Sequence, residues 1–123
     1  MVLAATWLDL HADFAWFVVL GNATAGVWAL AAQWITPLRV KALWVLTAVV
    51  EVAIFVQVAL GIATMELDEI EAPEFHLFYG FVAIIAVGLI YSYRNQLKDK
   101  TYLLYGLGGL FLMGLGIRAM YLA

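Results

Sequence analysis

Apolar residues fill this chain in four long stretches, parted by three short breaks in which charges, prolines and turn-forming residues collect. The stretches cover residues 11–34, 42–64, 75–93 and 102–121. A helix needs about 20 mostly apolar residues to cross the hydrocarbon core of a bilayer, and each stretch is close to that length. The breaks, at 36–39, 66–73 and 94–101, contain both prolines of the chain, Pro37 and Pro73, where a missing backbone N–H costs least. Connections this short turn consecutive helices back on one another. The pattern therefore predicts an all-α protein, an up-down-up-down four-helix bundle integral to a membrane, with residues 1–123 forming a single domain. A barrel is not expected, because it would need many alternating segments of about ten residues.

Composition agrees with that pattern and removes several functions. Of the 123 residues, 67% are hydrophobic and 12% charged, and the mean hydropathy is +1.00, whereas a soluble domain is roughly half apolar and about a quarter charged. A cytosolic enzyme, a nucleic-acid reader and a disordered tail are excluded on that ground, and membrane lipid is the expected surrounding. The chain has no cysteine, so a disulfide framework, a thiolate metal site and a cysteine nucleophile are absent too. No nucleophile–base pair or nucleotide-binding loop emerges, and catalysis is not expected.

The placement of charge gives an orientation. Five of the six basic residues, Arg39, Lys41, Arg94, Lys98 and Lys100, fall in the first and third breaks or beside them, the side that the positive-inside rule assigns to the cytoplasm. Asp9, Asp13, Glu66, Asp68, Glu69, Glu71 and Glu74 gather on the other side. Both termini are then expected outside the cytoplasm, in the plasma membrane. Trp7, Trp16, Phe75, Phe78, Tyr79 and Tyr121 form an outer aromatic belt on this reading. Residues 1–10 lack the positive start of a signal peptide, and residues 2–8 are expected to lie along the outer interface. Arg118, the sixth basic residue, falls near the outer headgroups, where its side chain can snorkel.

Two histidines are the most pointed chemical feature. His11 opens the first stretch and His76 the third, which run in the same direction, so both imidazoles belong at one depth near the outer face. Each is followed by an aromatic three residues on (Phe14, Tyr79) and a small residue four residues on (Ala15, Gly80), leaving room for a flat ligand. Facing histidines on helices of a bundle can ligate a metal or a porphyrin. The pattern resembles membrane b-type cytochromes, in which paired helices supply two axial histidines. That resemblance implies a haem b held by His11 and His76. A divalent metal bound with help from Asp9, Asp13, Glu71 and Glu74 is the alternative, although no two of these ligands share a helical face with a histidine at the usual spacing.

Polar residues within the stretches come next. Glu51 lies near the middle of the second, where an ionised carboxylate is costly and functional by default. Asn22, Thr24 and Thr47 are placed at comparable depth, and Gln57 lies nearer the outside. Small four-span multidrug exporters resemble this chain in size and in depending on one carboxylate, which would make Glu51 a proton carrier. Here, however, the carboxylate is on the second helix, and the charge bias opposes a dual topology. Polar glue between helices is the favoured role for Glu51. In the fourth stretch, Gly106, Gly109 and Gly116 fall on one stripe at about 100° per residue, a surface that lets helices approach closely in lipid. Trp16, Phe17, Trp28, Phe55, Phe81 and Phe111 are more aromatics than so slim a bundle can bury. The leading expectation is thus a non-catalytic accessory or assembly subunit of a larger membrane complex, in contact with other membrane subunits or with itself. A one-haem electron-transfer protein and a small proton-coupled transporter are the alternatives.

Overall fold

A computed structural model describes residues 6–123. The described chain is all-helical, with α1 at Trp7–Ala32, α2 at Lys41–Leu67, α3 at His76–Ser92 and α4 at Thr101–Tyr121, and short 3₁₀ turns at Thr36–Leu38 and Lys98–Lys100. α1, α2 and the segment Lys98–Tyr121 are long and apolar enough to cross a membrane. α3 is shorter. Its 17 residues extend about 25 Å at 1.5 Å per residue, because the loop before it holds Pro73 and ends in Phe75 at a left-handed φ of 66°.

The first helix begins four residues earlier than the apolar pattern suggests. Thr6 accepts a hydrogen bond from the Asp9 backbone N–H, and the Asp9 carboxylate accepts one from the Thr6 N–H. This reciprocal cap satisfies two donors that a helix start leaves bare. The interfacial placement expected for residues 2–8 falls largely outside the described residues; within it, Trp7 and Leu8 already belong to α1. Asp68, just past α2, accepts from the Leu8 N–H at 3.1 Å and so ties the start of α1 to the end of α2.

At the opposite end Arg39 fastens the first break. Its Nε donates to the Ala32 carbonyl at 2.7 Å and Nη2 to that of Gln33 at 2.8 Å, covering carbonyls that the end of α1 leaves unpaired. Its guanidinium lies 4.7 Å from the Tyr102 ring centroid. Trp28 donates from Nε1 to the Leu38 carbonyl at 2.9 Å, and the Gln33 side-chain oxygen accepts from the Leu103 N–H. Trp28 is therefore a packed residue, while Trp16, Phe17, Phe55, Phe81 and Phe111 lie exposed on the outside of the bundle.

The closest packing joins α1 to α4. Buried α1 residues recur at Val18, Asn22, Ala25, Ala29 and Ala32, alternating steps of four and three that keep one stripe on one side. Opposite them stand Gly106, Gly109, Leu112 and Leu115 of α4. The contact is backbone on backbone. A Cβ built on Gly109 would lie 2.8 Å from the Gly26 Cα, one on Gly26 would lie 2.8 Å from the Leu110 N, and one on Gly106 would lie 2.7 Å from the Leu30 Cα. Gly116 continues the stripe more loosely, against the end of the Val19 side chain. All three glycines singled out from the sequence thus face α1. Helix α2 packs on α1, α3 packs on α4, and α2 and α3 touch only sparingly.

Two alanine substitutions in one helix test this packing. Alanine stabilises a helix interior by up to about 1 kcal/mol over glycine, and Gly114 has nothing within 4 Å of an added Cβ, so Gly114→Ala should raise the unfolding temperature in detergent. Gly109→Ala should lower it, since overpacking costs about 1–3 kcal/mol. Equal unfolding temperatures for the two variants would contradict the α1–α4 contact.

Candidate functional site

His11 sits in the second turn of α1 and His76 is the first residue of α3. The second half of α2 and the end of α4 hold the imidazoles. His11 Nδ1 lies 3.1 Å from the Gln57 carbonyl oxygen, and His76 Nδ1 lies 2.8 Å from that of Ala119. A carbonyl oxygen can only accept, so each Nδ1 carries the hydrogen and donates. Gln57 also returns a bond, donating from Nε2 to the His11 carbonyl at 2.8 Å. Its Oε1 is buried and has no partner among the described residues.

With Nδ1 protonated on both rings, a neutral imidazole keeps a bare lone pair on Nε2. The two Nε2 atoms are 3.4 Å apart. The ring centroids are 5.7 Å apart and the ring planes meet at 84°. That centroid distance is close to the largest that two imidazoles allow at this nitrogen spacing. The lone pairs therefore point almost straight at each other. Two acceptors facing one another repel, and 3.4 Å exceeds the usual range of about 2.7–3.2 Å for a hydrogen bond from nitrogen. A positive centre between the nitrogens, a shared proton or a metal ion, would relieve that repulsion. Hydrogen-bonding the far nitrogen to a backbone carbonyl is also how proteins fix the tautomer and orientation of a metal-binding histidine.

Two glycines stand on the helices beside the rings. On α2, a Cβ at Gly61 would stand 3.2 Å from the His11 Cε1, so only glycine lets that ring lie where it does without displacement. On α3, one turn beyond His76, a Cβ at Gly80 would meet only the Val58 side chain, at 3.8 Å. Phe14 and Tyr79, the aromatics that follow the histidines, pack against the hydrophobic core around Val18, Ile54 and Leu115. The acidic residues do not close in on the pair. Asp9 is engaged in the α1 cap, and no group of three His, Cys, Asp or Glu side chains placed to hold a metal ion occurs among the described residues.

The other polar residues lie away from this centre. Asn22, 1% exposed, donates to the Val18 carbonyl at 2.9 Å, and Thr47 donates to that of Leu43 at 2.8 Å. Both bonds stay within their own helix. Glu51 is half-buried and lines a cleft with Thr47, Tyr91, Arg94 and Tyr105. Gln57 joins the histidine site instead, one helical turn from Gly61. A polar and a side-chain-free position one turn apart, at the level of His11, were a signal in the sequence for this pocket. The Ala119 carbonyl had none, since every residue carries one.

The arrangement makes a tautomer assignment that nitrogen NMR can check. In protein labelled with ¹⁵N-histidine, both Nδ1 atoms should be protonated and at least one Nε2 should not be. A bare Nδ1 on either ring would contradict the placement.

No family model matches the chain, and neither a curated protein nor a solved structure matches it.

Proposed function

We propose that this chain is a membrane-spanning electron carrier that holds one haem b between His11 and His76. The reading is carried by a single observation, the two Nε2 lone pairs aimed at each other across 3.4 Å. Metal–imidazole bonds of about 2.0–2.1 Å on opposite sides of one ion need nitrogens roughly 4 Å apart, so a few tenths of an ångström of opening at each ring admits an iron. The number of ligands points the same way. A bare divalent ion asks for three or four protein ligands, whereas a porphyrin brings four nitrogens and leaves two opposed positions to the protein. His11 and His76 would be the residues that hold it. Gln57 and Ala119 fix the tautomers, and Gly61 leaves room for the His11 ring. When bound, the haem supplies a one-electron ferric–ferrous couple.

In this reading the four helices cross the plasma membrane up-down-up-down, with both termini outside and Arg39, Lys98 and Lys100 at the cytoplasmic face. α3, at 17 residues, falls at the short end of the roughly 17–25 residues that cross a bilayer. A second reading, the accessory subunit of a larger membrane complex, draws on Trp16, Phe81 and Phe111, each more than half exposed on the outer surface of the helices. The two readings are compatible if the partner supplies or accepts the electron.

Visible absorption tests the haem. Protein purified in mild detergent from haem-replete cells should show a Soret band, and either His11→Ala or His76→Ala should remove it while the helical circular dichroism persists. A colourless preparation from such cells would overturn the haem reading and leave the accessory role.

A further inference from the structure

The half of the bundle away from the histidines holds a second centre of chemistry. Because α2 and α3 pack sparsely, a cleft of about 550 Å³ remains between α2, α3 and the start of α4. Pockets for small molecules commonly measure about 300–1,000 Å³ and are apolar with a few placed polar groups. This one fits that description. Val52, Phe55 and Val87 make its apolar length, and Trp44, Tyr91 and Tyr105 bring aromatic rings to it.

Two charged residues line the same space, Glu51 and Arg94. Arg94 is held in place, with Nη1 donating to the Tyr91 carbonyl at 2.7 Å and its guanidinium 3.6 Å from the Tyr91 ring centroid. A carboxyl and a guanidinium line one cleft, and no singly charged head suits both. A cationic head would pair with Glu51 but face Arg94, and an anionic head would pair with Arg94 but gain no donor or acceptor match with an ionised Glu51. A neutral head that both accepts and donates hydrogen bonds suits both. The aromatic walls favour a planar ring, since rings stack or meet edge to face. The apolar length along Val52 and Phe55, both exposed on the outside of α2, favours a hydrocarbon tail that leaves sideways.

We infer that this cleft binds a lipid-soluble quinone or quinol. Arg94 donates to one ring oxygen and Glu51 meets another. A protonated Glu51 donates to a quinone carbonyl, and an ionised one accepts from a quinol hydroxyl, so one side chain serves both redox forms. The site is independent of the histidine pair and stands whether or not a haem is bound.

Tryptophan fluorescence reads the site directly, because Trp44 is in the wall and quinones quench indole emission. The full chain in detergent, both as isolated and after removal of any bound cofactor, is titrated with decylubiquinone. Saturable quenching is expected in both preparations, and Trp44→Phe should remove most of it. Glu51→Leu should weaken binding at least tenfold. Ala48→Trp, which fills the mouth of the cleft from an exposed position, should do the same without disturbing the core. Palmitate and decyltrimethylammonium should not compete. Quenching that rises linearly without saturating, undiminished affinity in Ala48→Trp, or displacement by either charged amphiphile would overturn the proposal. A colourless protein that still binds the quinone would refute the haem alone.

Discussion

Three glycines let two helix backbones touch, and the placement of every other element follows from that contact. Gly26 of α1 meets Gly109 of α4, and Gly106 meets Leu30, at separations that leave no room for a Cβ. In lipid, the proposed surrounding, the hydrophobic effect would not drive helices together; close van der Waals packing would. Side-chain-free surfaces therefore determine which helices pair and at what height. With α1 and α4 locked, the Ala119 carbonyl near the end of α4 comes to the level of His11, where it can take the His76 Nδ1–H. The Thr6–Asp9 cap and the Asp68 bond to Leu8 hold the start of α1 in the same region.

The histidine site is built at the margin of that packing. Its two rings are oriented by backbone carbonyls, one from α2 and one from α4, so their direction is a property of the bundle and not of flexible side chains. The cost is two lone pairs facing each other and a buried Gln57 oxygen without a partner. Unpaired buried polar atoms are rare in folded proteins, and each calls for an explanation. In the proposed reading, an iron held by His11 and His76 would relieve that repulsion. The sparse α2–α3 seam is the complement of the tight α1–α4 one: the bundle is closed on one side and open on the other, and the cleft beside Glu51 lies on the open side.

Much of this was legible in the residues, and the parts that were not have physical reasons. Four apolar stretches with proline and charge between them announce helices, because the backbone of a lipid-embedded segment must satisfy itself. His11 and His76 could be placed at one level by counting helix directions, and the glycine stripe could be drawn from the helical repeat. The apolar pattern alone starts α1 four residues late, although Thr6 and Asp9 carry the spacing of a cap. The favoured role for Glu51 as glue drew on depth along the helix. Depth gives no direction around the axis, and Thr47 and Asn22 spend their hydrogen bonds on their own helices. The glycine stripe does not name its partner for the same reason: a stripe says how close a neighbour can come, not which neighbour it is.

The central claim is that two imidazoles, opposed along one line and turned 84° to each other, hold an iron between them. Electron paramagnetic resonance of the oxidised protein tests it most directly, since the signal of a ferric haem reports both the number of strong axial ligands and the angle between their planes. The account predicts a low-spin signal with the large anisotropy of two nearly perpendicular imidazoles. A high-spin signal, or a low-spin signal unchanged when His11 or His76 is replaced, would contradict it.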